Sequence, residues 1–246
     1  MSKLIVIPAR AGSKGLPGKN KRPLNDKPLI GYSFDFAKSV ATEGDQICVS
    51  TNDQDVLTLA KEYGIEPDFV RSEALSSDNA SMYDVLADAL DFYERRGRYF
   101  DSLLLLQPTS PFREGLDFTQ LAQVYEKGCD MAVTVSLSKE NPYYTLMEED
   151  VDGYLQKSKK SSFVRRQDCP EVYALNGSMY LINVTSLKDN GSLAFDKIRK
   201  SIMPRYRSVD IDNLEDFEYA EFLLARSVKK ADSLDLQGPK NPDQTI

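Results

Sequence analysis

Three cations and three glycines crowd the segment that follows the first apolar run of the chain: Arg10, Gly12, Lys14, Gly15, Gly18 and Lys19. Glycine lets the backbone approach a ligand and turn its N–H groups toward an anion. Arginine adds paired donors and lysine adds point charges, so the set suits a polyphosphate. The segment is not a P-loop, because Ser13 stands where that pattern needs its first glycine, and Asn20 replaces the hydroxyl residue after the lysine. Far along the chain, Asp210 and Asp212 alternate. On a strand, alternate residues share one face. Two carboxylates so placed can hold Mg²⁺, which prefers oxygen ligands and keeps several waters. The chain has no histidine, which excludes a Ser-His triad, a His-ligated zinc and a histidine base.

Strand and helix signals alternate around these groups. Leu4–Ile7 reads as the first strand, and a helix is expected from Pro28 to about Val40. Ile47–Ser50 reads as a second strand, Asp53 to Tyr63 as a helix closed by Gly64, and Asp68–Val70 as a short strand. Ser81 is placed to cap a helix reaching about Arg96. The run Leu103–Leu106 has the character of a strand covered on both faces. A further helix is expected over Leu116 to Lys127, then strands over Met131–Ser136, Val172–Asn183 and Tyr206–Ile211, with Asn213 capping a last helix through about Ser227. Such alternation implies an α/β fold with a mainly parallel sheet between helices, and ligands beyond the carboxyl ends of its strands. We assign 1–228 to this domain, 139–170 to an inserted polar arm suited to dimerisation, and 229–246 to a polar tail.

Composition narrows the partners. The 246 residues carry 31 Lys and Arg against 38 Asp and Glu, a formal charge of -7. That balance argues against a nucleic-acid partner, while local cations can still hold an anionic small molecule. The opening apolar run is too short for an export signal, no stretch is long enough to span a membrane, and Cys48, Cys129 and Cys169 show no pairing or metal-ligand spacing. A cytoplasmic location is expected.

Four blocks in order resemble the CMP-sialic acid synthetases, also called acylneuraminate cytidylyltransferases: Pro8-Ala9-Arg10 through Lys19-Asn20, Arg71 through Ser81, Leu106 through Pro111, and Ser208 through Asp212. The resemblance implies a three-layer Rossmann-like fold of the nucleotide-diphospho-sugar transferase type, CTP and an acidic nine-carbon sugar as substrates, Mg²⁺ as cofactor and a homodimer. It places Arg10, Gly12, Ser13, Lys14, Lys19, Asn20, Arg71 and Ser81 about the nucleotide, with Arg10, Lys19 and Asp210 as the catalytic set. Gln107, Arg166, Asn176 and Tyr180 fall on the sugar side, and Asp210 and Asp212 on the metal. Two positions depart from the family pattern: Tyr144 stands where some members carry lysine, and Ala174 where they carry arginine. An acceptor other than N-acetylneuraminate, such as a legionaminate-type acid, is therefore expected. The eight-carbon octulosonate cytidylyltransferase and a non-catalytic nucleotide-binding regulator are the alternatives.

Overall fold

The Leu4–Ile7 run is fully buried in a six-stranded sheet, one strand in from its edge, in the computed structural model, which describes residues 2–125 and 128–235. In chain order the elements are β1 (Lys3–Pro8), β2 (Pro23–Leu24), β3 (Lys27–Pro28), α1 (Leu29–Val40), β4 (Gln46–Ser50), α2 (Gln54–Glu62), α3 (Met82–Glu94) and β5 (Ser102–Leu106). Then follow α4 (Gly115–Val124), β6 (Met131–Leu137), β7 (Met147–Glu149), β8 (Leu155–Lys157), β9 (Tyr173–Asn183), α5 (Val184–Asn190), β10 (Ile198–Ile202) and α6 (Leu214–Asp235).

The main sheet runs β10-β6-β9-β5-β1-β4. Its pairings β1–β4, β1–β5 and β6–β10 are parallel, and β9 lies antiparallel to both β5 and β6. Alternation along the central strands feeds two cores. Ile5, Ile7, Leu104 and Leu106 face α1 and α2 through Ile30, Phe34, Val56 and Ala60. Leu4, Val6, Leu103 and Leu105 face α3 and α5 through Leu86, Leu90 and Leu187. A sheet buried on both faces between helices is the expected three-layer arrangement.

Local signals hold at several helix starts. Asp53 accepts a hydrogen bond from Asp55 N at the head of α2, and Ser81 from Asp84 N at the head of α3. Two strand expectations need correction, and one strand was not expected. Asp68–Val70 joins no ladder; Asp68 N turns back to Glu66 O, and the bond toward the β4 end runs from Arg71 N to Thr51 O. Tyr206–Ile211 is not a strand either, since Arg205–Arg207 form a 3-10 turn and the rest pairs only through Ile211 N to Thr109 O. The last strand is instead Ile198–Ile202, an edge strand whose residues are mostly exposed, so no apolar run marked it. α4 ends at Val124; the expected helix end at 126–127 lies outside the described residues. α6 continues through Asp235, past the start of the expected tail, and 236–246 lie outside the described residues. Within 139–170, β7 and β8 form a small antiparallel hairpin.

The topology sends every informative loop to one edge. The carboxyl ends of β1, β4, β5, β6 and β10 lie there, and so does the amino end of the antiparallel β9. The cationic loop, Ser50, Gln107, Ser138, Asn176 and the chain leading to Asp210 are therefore neighbours.

Candidate active site

Beyond β1 the backbone turns at Gly12 and Gly18, both with positive φ (82° and 68°). Gly18 precedes a 3-10 turn that buries Lys19. Lys19 Nζ donates to Ile211 O at 2.5 Å and to Asp212 Oδ1 at 3.1 Å. Gly15 lies so close to this segment that a Cβ there would sit 2.3 Å from Asp212 O. Between these contacts Leu16 packs in a third apolar cluster with Val209, Ile211 and Phe217. The cationic loop and the acidic couple, some 190 residues apart in sequence, thus form one structure.

Asp210 and Asp212 do not sit on a strand, yet the alternation survives. Val209 and Ile211 are buried beneath them, while Asp210 and Asp212 are exposed. The backbone N–H groups of Asp212 and Asn213 donate to Asp216 Oδ2, and Asn213 Oδ1 accepts from Asp216 N, which fixes the start of α6. Asp210 lines a cleft of about 560 Å³. Although it opens to solvent on that side, the protein packed around its carboxyl raises the pKa above the ordinary value. The Thr109 hydroxyl works against that rise, Asp212 adds to it and Lys19 opposes it. Asp210 and Asp212 are the solvent-facing carboxylates here that could hold a divalent cation; among the described residues no group of three or more His, Cys, Asp or Glu is gathered for one.

Three braces hold this arrangement. The buried Arg113 donates through Nε to Ser110 O at 2.9 Å, and through Nη2 to Gln107 O at 2.6 Å and Ser33 Oγ at 2.9 Å. Desolvation pushes its pKa down to about 9. Arg207 grips the buried Asp117 through Nε and Nη2 at 3.1 and 2.7 Å, tying the Asp210 segment to α4. Asn176 accepts from Thr134 Oγ1 at 2.8 Å and donates to Ser208 Oγ at 3.0 Å. No spacing rule singled out Arg113, Asp117 or Arg207, because their partners lie on other elements. Replacing Arg207 by methionine leaves the Asp117 carboxylate buried and unpaired. That should cost about 3 kcal/mol of stability, read from urea unfolding curves.

The remaining expected site residues distribute as follows. Arg10 and Lys14 both pair with Asp78, at 2.7 and 2.5 Å. Gly12, Ser13 and Asn20 lie on the same loop. Arg71 is buried and commits Nε and Nη2 to Ser50; burial first, and the charge of Arg10 in smaller part, push its pKa down to about 10. Ser81 spends its hydroxyl on Asp84 at the head of α3, so capping is the role the geometry gives it. Gln107 is half-buried at the turn that Arg113 holds. Asn176 stands on the cleft wall, but as a brace with its amide already engaged. Tyr180 is half-buried beside the second core, and its hydroxyl pKa is raised by burial and then by the charge of Asp210. Arg166 lines a hollow that shares Leu137, Ser138 and Lys139 with the cleft, and donates to Lys139 O at 2.7 Å. Ala174 lines the cleft itself, together with the unanticipated cations Lys139 and Arg205.

A doubly covered sheet with a glycine-rich cationic loop at its carboxyl edge, facing paired aspartates, defines an α/β nucleotidyltransferase. The chain belongs to the cytidylyltransferase family, whose sequence pattern matches residues 4–238. It is 34% identical over 223 residues to Post-translational flagellin modification protein B of Campylobacter coli, covering 90% of this chain and 94% of that protein. It is 33% identical over 224 residues to the CMP-N,N'-diacetyllegionaminic acid synthase of Legionella pneumophila, covering 90% and 95%. Among solved structures, CMP:2-keto-3-deoxy-manno-octonic acid synthetase complexed with CTP superposes with a TM-score of 0.67 at 20% identity, covering 92% of this chain and 100% of that one. The resemblance to the CMP-sialic acid synthetases is therefore borne out, and the octulosonate enzyme shares the fold.

Proposed function

We propose that this enzyme activates a nonulosonic, legionaminate-type sugar acid with CTP. The anomeric hydroxyl attacks the α-phosphorus, the bond to the bridging oxygen of pyrophosphate breaks, and CMP-sugar and pyrophosphate leave. The observation that carries the reading is Lys19, bonded from the cationic loop to both Ile211 O and Asp212. It makes one site of a polyphosphate cradle and an acidic pair.

Arg10 and Lys14 neutralise charge on the leaving pyrophosphate, the task that preorganised donors perform best. Asp210 and Asp212 would hold Mg²⁺, which supplies Lewis-acid polarisation of phosphate oxygens and a more acidic attacking hydroxyl. In a chain without histidine, Asp210 is the carboxylate this reading assigns to the hydroxyl proton. Lys139 and Arg205 line the cleft beside Ala174 and the carboxylates of Glu140, Asp210 and Asp216, and are the cations there that a sugar carboxylate would meet. The relative named for N,N'-diacetyllegionaminic acid supports the same class.

Pyrophosphate release from CTP, assayed across a panel of nonulosonic acids and 3-deoxy-octulosonate, tests the proposal. Turnover should be fastest with a legionaminate-type acid. Turnover confined to octulosonate would transfer the enzyme to the alternative acceptor, and CTP binding without turnover on any acid would leave a regulator.

The arm at 139–170 exposes Leu146, Met147, Val151, Tyr154, Leu155 and Val164, which supports its use as a homodimer contact. Sedimentation should give twice the 27.7 kDa of one chain; a single-chain mass would remove that role. Three free thiols fit a reducing cytoplasm. Among the described residues, no helix is long and apolar enough to cross a membrane.

A further inference from the structure

Asp78 lies in the loop between the 3-10 turn Ala74–Ser76 and the head of α3. Its carboxylate spans two cations: Oδ1 is 2.7 Å from Arg10 Nη1, and Oδ2 is 2.5 Å from Lys14 Nζ. A second tether fixes the same loop. Asn52 Oδ1 accepts from Ala11 N at 2.9 Å, while Asn52 Nδ2 reaches both carboxylate oxygens of Glu73, at 3.1 and 3.2 Å. Residues 73–78 therefore form a strap along the cationic loop. Lys19 stays out of its reach, committed to Ile211 and Asp212.

The strap places a carboxylate on the two cations that the proposed reaction assigns to phosphate. A nucleotide that engages both while Asp78 retains them brings phosphate and carboxylate oxygens within a few ångströms as like charges, which weakens its binding. Exchange is easy, since the Asp78 side chain is 45% exposed and that of Lys14 76% exposed. Exposed pairs of this kind are weak and readily replaced.

We propose that Asp78 is a positioning residue that stands in for the terminal phosphates. Between turnovers it keeps Arg10 and Lys14 aligned; it yields both to the β- and γ-phosphates of the incoming nucleotide, and it recaptures them as pyrophosphate leaves. The proposal rests on the reading of the loop as a nucleotide cradle.

Calorimetric titration of the full chain with CTP, inorganic pyrophosphate and CMP, each in Mg²⁺ buffer, separates the two ideas. In Asp78→Asn the affinity for pyrophosphate and CTP should rise roughly three- to tenfold, as expected for losing two exposed competing ion pairs. CMP, which lacks the terminal phosphates, should bind as before, and product inhibition by pyrophosphate should strengthen to the same extent. Asp78→Ser, checked with the first variant by thermal melting, guards against a folding defect in either. Pyrophosphate affinity unchanged or weakened in the folded variants would overturn the proposal while leaving the cradle intact. Failure of the wild-type chain to bind either CTP or pyrophosphate would instead remove the cradle, and the proposal with it.

Discussion

Asp210→Asn is expected to lower kcat by at least about 10²-fold, the scale of losing one preorganised charge at a reacting centre. Asparagine keeps the shape that packs against Gly177, where a Cβ would lie 2.9 Å from Asp210 Oδ2. The loss therefore reports charge rather than packing. Pyrophosphate release at saturating CTP and sugar acid measures it, and turnover near wild type would remove Asp210 from the catalytic set. The same variant should not be destabilised. The Asp210 pKa is raised in the fold, chiefly because surrounding protein desolvates the carboxylate. A raised pKa means that the folded chain binds this proton more tightly than the unfolded chain does. That contribution is full below the unfolded value and is lost as pH rises through the folded one, so the ionised group is a liability at neutral pH. In metal-free buffer at pH 7, Asp210→Asn should melt at or slightly above the wild-type temperature. The margin should shrink as the pH falls through the carboxylate range. Because the residue opens to the cleft, solvent screening keeps the margin to about one or two degrees. A site that pays in stability for a charge it needs in catalysis shows this pairing of lower activity with retained stability.

Gly15→Ala should reduce kcat/KM by about 10²-fold with only a modest loss of stability. The added Cβ would stand 2.3 Å from Asp212 O. That atom is backbone, fixed at the head of α6 by the bonds of Asp212 N and Asn213 N to Asp216, so no side-chain rotation relieves the clash. The cationic loop must retreat from the aspartates, and a displacement of about 1 Å is enough for a loss of that size. Gly177→Ala makes a useful contrast. Its φ is +68°, and its Cβ would meet the Asp210 carboxylate rather than backbone, so it combines left-handed strain with a contact that can swing away. Steady-state kinetics should show a loss in both, and in Gly177→Ala it should fall on kcat, because the displaced group is the Asp210 carboxylate. Equal activity of Gly15→Ala and wild type would mean that loop and aspartates need not be held together.

Much of the molecule is written in short stretches of sequence. The continuous apolar runs 4–7 and 103–106 mark doubly covered strands because burial on both faces leaves no polar alternation. Asp53, Ser81 and Asn213 mark helix starts because a cap satisfies N–H groups only two or three residues away. The glycine-rich cations point to a polyphosphate by residue type, whereas the Asp-x-Asp pair takes its expected role only from the resemblance to the family. The pair keeps its common direction, even without a strand, because Val209 and Ile211 bury the opposite side. Only the tertiary structure decides what depends on distant surfaces meeting. It sets the antiparallel course of β9 and makes a strand of the exposed Ile198–Ile202 edge, whose stability comes from the ladder with β6 rather than from its own side chains. It also joins Arg207 to Asp117, Arg113 to the Gln107 turn, and Lys19 to Ile211 and Asp212. Helical and strand periodicities and caps act over a few residues and so leave a local mark. An ion pair across the fold leaves none, because its partner can stand anywhere in the chain.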